Sequence, residues 1–177
     1  MLAGYVNSPV TAGRGNVFAA TAIVTAPGIF STAAGTGGPL LYNPSGSGVT
    51  AYLLAVSLGV TVASTVAGAI GLTGGASTAP SSTTAIDSVV CTKLHTSPPS
   101  PKCNIYRIGT VSAPGGFFWP IGQIGTNALT ALPASEPISL GGVWEIDYGY
   151  FLAVAGSAVL STTVAQISIM WLEVPKN

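Results

Sequence analysis

Residues 144–154 alternate. Trp144, Ile146, Tyr148, Tyr150, Leu152 and Val154 fall on one side of an extended chain, and Glu145, Asp147, Gly149 and Ala153 on the other; Phe151 is out of phase. A period of two marks a strand with one buried face. The pattern resumes after Gly156-Ser157, where Ala165, Ile167, Ile169 and Trp171 share a face opposite Gln166 and Ser168. The two stretches are expected to form an antiparallel pair. Their large side chains require a second sheet to cover them. Residues 49–62 alternate in the same way. Tyr52, Leu54, Val56, Leu58, Val60 and Val62 oppose Ala51, Ala55, Ser57, Gly59 and Thr61, and Leu53 alone is out of place. Residues 65–73 are expected to follow as its strand partner.

Further strands are expected at 16–26, 39–42, 85–93, 104–111 and 138–140, with Gly/Ser/Thr/Pro loops between them. Asn43-Pro-Ser-Gly-Ser-Gly48 separates two apolar runs and reads as a sharp corner: Pro44 presets φ, the glycines allow positive φ, and Asn43 and the serines bond back to the main chain. The sum is about eight strands and no helix. The expected fold is all-β, an antiparallel sandwich or jelly roll over residues 12–177, preceded by an extended arm at residues 1–11.

Charged residues make up 6% of the chain and the formal net charge is zero, against roughly 25% charged in an average soluble domain. The surface must rest on Ser, Thr, Asn and Gly, or be covered by partners. A nucleic-acid groove is not expected, because only Lys93, Lys102 and Arg107 are neighbours in sequence. The N-terminus lacks a basic region followed by an apolar run and does not read as a secretory signal. Residues 49–72 carry no charge and would be flagged by hydropathy. Their period of two and the lack of flanking Lys or Arg argue for strands and against a membrane span.

The chemical inventory is poor. His95, the one histidine, precedes a proline-rich stretch at residues 95–102 that reads as an exposed excursion. Glu145 and Asp147 share a strand face about 7 Å apart and read as its solvated side. No serine stands in a Gly-x-Ser-x-Gly turn. Cys91, His95 and Cys103 offer three metal ligands where structural zinc takes four, so no metal is expected. A Cys91–Cys103 disulfide is sterically open, as are two free thiols; the bridge would be worth about 3 kcal/mol at most by loop closure. Phe117, Phe118 and Trp119 read either as core under a loop or as a contact patch for a partner or sugar. No catalytic residue, cofactor or enzyme activity is expected.

Two segments resemble a family. Tyr42-Asn-Pro-Ser-Gly-Ser-Gly48 followed by the strand at 49–60, and the ending Ile167-Ser-Ile-Met-Trp-Leu-Glu-Val-Pro175, are similar to segments of small structural proteins of tailed bacteriophages. Leu172 stands where an acid is more usual. The likeness covers residues 40–59 and 144–175. It implies a jelly-roll capsid decoration, or cement, protein. Such a protein is made in the host bacterial cytoplasm and sits on the outer surface of the virion head. Its partners would be the major capsid protein and further copies of itself, as a dimer or trimer. The arm at residues 1–11, with Tyr5 and Val6, would contact a neighbour, and residues 95–102 would face outward or toward a partner. The alternative is a head- or tail-fibre module that holds a host glycan with Phe117, Phe118 and Trp119.

Overall fold

The computed structural model describes residues 16–25, 38–62, 64–86, 89–91, 99–111, 116–124, 138–158, 160, 162 and 163–176. The expected arm, with Tyr5 and Val6, and the stretch around His95 lie outside them. The described residues form eleven strands and no helix: β1 (Asn16–Thr25), β2 (Leu40–Asn43), β3 (Val49–Val62), β4 (Gly68–Ala76), β5 (Ser81–Ala85), β6 (Val89–Cys91), β7 (Asn104–Thr110), β8 (Trp119–Ile124), β9 (Ile138–Ile146), β10 (Tyr150–Gly156) and β11 (Val164–Pro175). They build two antiparallel sheets, ordered β6-β1-β11-β3-β9 (sheet A) and β5-β7-β2-β10-β4-β8 (sheet B). Facing apolar sides make this a β-sandwich.

No two strands that are consecutive in this order are hydrogen-bonded neighbours. This corrects both expected pairs. The runs at 49–62 and 65–73 became β3 and β4, in different sheets. The stretch 144–155 is two strands, β9 in sheet A and β10 in sheet B, and only β11 of the second run shares a sheet with β9. Between them the chain folds back at residues 147–150, where Tyr150 N–H donates to Asp147 C=O (3.1 Å) and Gly149 takes φ 74°. Ile146 before the turn and Leu152 and Val154 after it all face the main core, each from its own sheet, so the alternation reads straight through it. The count rises from eight to eleven chiefly because β5 and β8 carry Ser, Thr, Pro and Gly and no apolar period.

Both lapses in the alternation have causes. Leu53 points inward because β3 is bulged at Leu54: Leu53 pairs with Trp171 and Ala55 with Met170. Ala51 and Leu53 face the core before the bulge, Val56 and Leu58 after it. Phe151 faces the other way from Leu152 because sheet B buries its outer side as well, in a small cluster of Leu40, Tyr42, Val111, Phe151 and Ala153. The main core lies between the sheets. Phe18 and Trp171 stack at 5.6 Å, surrounded by Leu53, Ile70, Leu72, Leu152, Val154 and Ile167. Each such side chain contributes about 1.5–3 kcal/mol when fully buried.

The Asn43 corner carries the chain from sheet B to sheet A and ties the sheets together. Asn43 is fully buried. Its Nδ2 donates to the carbonyls of Val49 and Ile146, both at 2.9 Å, and its Oδ1 accepts from Ser47 Oγ at 2.6 Å. Its own carbonyl accepts from Gly149 N–H at 2.9 Å. One residue thus fixes β2, β3, the end of β9 and the start of β10, with both polar atoms of its side chain paired.

Candidate functional site

The open side of the sandwich lies where edge strand β8 of sheet B approaches edge strand β9 of sheet A. Three aromatic rings close it. Phe117 and Trp144 stack at 4.7 Å, and Trp119 meets Trp144 edge-on, with centroids 5.9 Å apart and planes at 75°. Glycines on β4 make room for this arrangement. A Cβ at Gly74 would lie 3.3 Å from the Phe117 ring, and one at Gly71 would lie 2.7 Å from the Phe118 ring. Gly74 pairs with inward-facing Leu152, whereas Gly71 pairs with Ala155 on the outer side of sheet B. Phe117 and Trp119 therefore turn to the seam and Phe118 turns away from it, across the sheet edge. The expected three-residue patch is divided, and Trp144 takes the place of Phe118. Trp119 remains 54% exposed.

Neither strand at the seam offers a clean edge. Pro120 sits in β8 and has no N–H. In β9, Ser139 pairs with Ala55 and Trp144 with Leu53, so residues 140–143 bulge out opposite Leu54 alone. Gly141 and Gly142 take positive φ there (60° and 73°), and Val143 at the rim is 83% exposed. Such devices block the addition of another strand.

At the end of β11 a buried carboxylate holds a different knot. Glu173 Oε1 accepts from Trp171 Nε1 (3.1 Å) and from Cys103 N–H (2.9 Å), and Oε2 accepts from Lys102 N–H (2.8 Å). No cation pairs with it among the described residues. The knot pins the start of β7 to β11. Cys103 is buried beside it as a free thiol, so the structure has no Cys91–Cys103 bridge; the Cys91 side chain lies outside the described residues. Burial, and secondly the Glu173 carboxylate, push the Cys103 thiol well above its ordinary range.

Among the described residues, charge is segregated to one end of the sandwich. The described residues include six charged side chains, Lys102, Arg107, Glu145, Asp147, Glu173 and Lys176. All but Arg107, which is half-buried within β7, cluster at the Asn43 end, where β9 and β11 finish and β7 begins. There Lys176 Nζ bonds Asp147 Oδ1 and lies 3.9 Å from the centre of the Tyr148 ring. The bond from Lys176, and then that from Tyr148 N–H, hold the Asp147 carboxyl below its ordinary range; the same contact with Asp147 raises Lys176. Glu145 stands across from Tyr52, whose phenol is raised by burial first and by Glu145 second.

The opposite pole, where β1 and β3 end and β4 and β11 begin, has no charged residue among those described. Hydroxyls satisfy its backbone instead. Ala69 N–H donates to Ser157 Oγ (2.9 Å), Thr65 N–H to Thr162 Oγ1 (3.1 Å), and Val66 N–H to Ser64 Oγ (3.0 Å). At this end Ile23 (61%), Val62 (47%) and Val66 (46%) are exposed. The described residues of this surface lose little on being covered, because none of them carries a charge to be desolvated.

No group of three or more potential metal ligands occurs among the described residues. No helix among them is long and apolar enough to cross a membrane, and the charge-free stretch 49–72 lies in strands of two sheets. Scans against protein-family models, curated proteins and solved structures found no match. Sequence reasoning missed Trp144 as a site residue because a tryptophan in a period-two strand reads as core. It missed Glu173 because a lone acid near a terminus gives no sign of burial.

Proposed function

We propose that this chain is a virion structural protein: a decoration, or cement, protein on the outside of an assembled phage head, bridging major capsid subunits. The charge segregation among the described residues carries the reading. A protein that stands on a shell needs one end that is inexpensive to bury and another that stays wetted. The pole of Ile23, Val62 and Val66 meets the first need and the pole of Asp147 and Lys176 the second. The repeated crossing of the chain between sheets supports a jelly-roll topology as the finer description. The arm at residues 1–11, with Tyr5 and Val6, belongs to the same proposal as a clasp on a neighbouring subunit, as does a dimeric or trimeric state.

The mechanism is mass action. A part that binds the assembled shell and not free capsid subunits stabilises the assembled state by the free energy of its binding. Co-sedimentation tests it. The purified chain is expected to saturate assembled shells and to leave unassembled subunits unbound. Ile23→Asp with Val66→Asp is expected to abolish the binding while preserving the thermal transition, since both side chains are exposed. Equal binding by the double variant would refute the docking pole.

A further inference from the structure

The three tryptophans of the chain are used in two ways. Trp171 is fully buried, and its indole N–H is taken by Glu173. Trp119 and Trp144 stand at the seam, and neither indole N–H has a hydrogen-bond acceptor among the described residues. Trp119 is mostly exposed and Trp144 half-buried, so these donors stand open to a ligand. Here two such donors accompany two aromatic rings already fixed in place. Trp144 is held by the Phe117 stack, Phe117 by the room left at Gly74, and Trp119 by the edge of Trp144.

We infer that the Trp119–Trp144 seam is a binding site for a neutral carbohydrate. A pyranose ring has an apolar face of C–H groups and a rim of hydroxyls. The first suits an aromatic ring and the second suits an indole N–H that lacks an acceptor. Pro120 and the bulge at residues 140–143 disfavour the competing occupant, a peptide strand added to either edge. A nucleobase, the other flat ligand that stacks on indole, brings a phosphate chain, and no cationic side chain lies among the described residues 116–124 or 138–146. A uronic or sialic acid would likewise find no cation there. The ligand class is therefore a neutral glycan, bound on the flank of a molecule whose docking pole lies elsewhere. The site does not depend on the proposed virion role.

Tryptophan fluorescence titrations with maltohexaose, cellohexaose and chitohexaose, together with an array of neutral glycans, test the inference. At least one is expected to give a saturable change with a dissociation constant in the millimolar range or tighter. Trp119→Ala should weaken it by about tenfold or more, and Trp119→Phe, which keeps a ring and loses the N–H, by less. Both variants should keep the parent thermal transition and the parent co-sedimentation with shells. Absence of any saturable response, or a response that survives in Trp119→Ala, overturns the inference. So does loss of shell binding in Trp119→Ala with no glycan response, which would make the seam a protein contact.

Discussion

Trp171 and Trp119 are the same residue under opposite rules. Trp171 sits on the third strand of a five-stranded sheet, stacked on Phe18, with its N–H held by a buried carboxylate that also holds the backbone of Lys102 and Cys103. Trp119 sits on an edge strand, touches one ring and keeps more than half its surface open. The first arrangement places every polar group against a partner and contributes stability. The second leaves more than half of a ring open and its N–H without an acceptor among the described residues, and contributes less to folding.

The contrast is sharpest in stability. Trp171→Ala should cost about 3–5 kcal/mol in urea unfolding, as a large cavity opens in the core beside Phe18. Glu173→Ala should come next, at about 3 kcal/mol, because three N–H donors lose their acceptor. Glu173→Gln keeps one acceptor oxygen and should fall between the parent and Glu173→Ala. Trp119→Ala should change stability by less than about 1 kcal/mol. A Trp119→Ala loss as large as that of Trp171→Ala would erase the distinction and make the seam part of the core.

The smallest effect belongs to the exposed pair at the charged pole. The Asp147 carboxyl is depressed, so its contribution is present above the ordinary carboxylate range and lost as pH falls through the depressed value. Lys176 is raised, so its contribution is present below the ordinary lysine value and lost as pH rises through the raised one. The stability difference between the parent and Asp147→Asn, followed by thermal unfolding across pH, should therefore be widest in the neutral range and close toward both extremes. Solvent screening keeps it small. A difference that grows in acid would contradict the assignment.

The two tryptophan environments were unequally legible. The inward face of β11 follows from the alternation of Ala165, Ile167, Ile169 and Trp171, and the corner at 43–48 from its turn residues, because both are local properties of the chain. Strand pairing was not legible. With consecutive strands never adjacent, every pairing is made with a distant segment, and nothing nearby in sequence records it. Leu53 and Phe151 looked like defects in a pattern. They mark a bulge and a second buried face. The seam was half legible: Phe117 and Trp119 were named together with Phe118, but Trp144 reached them only by folding from 25 residues further along the chain.

Electron cryomicroscopy of intact particles tests the central claim most directly. The account predicts a sandwich of this shape at regular positions on the outer surface of the head, with Ile23, Val62 and Val66 against the shell and the Asp147–Lys176 pole in solvent. Particles without the chain, or the chain seated on its charged pole, would contradict it.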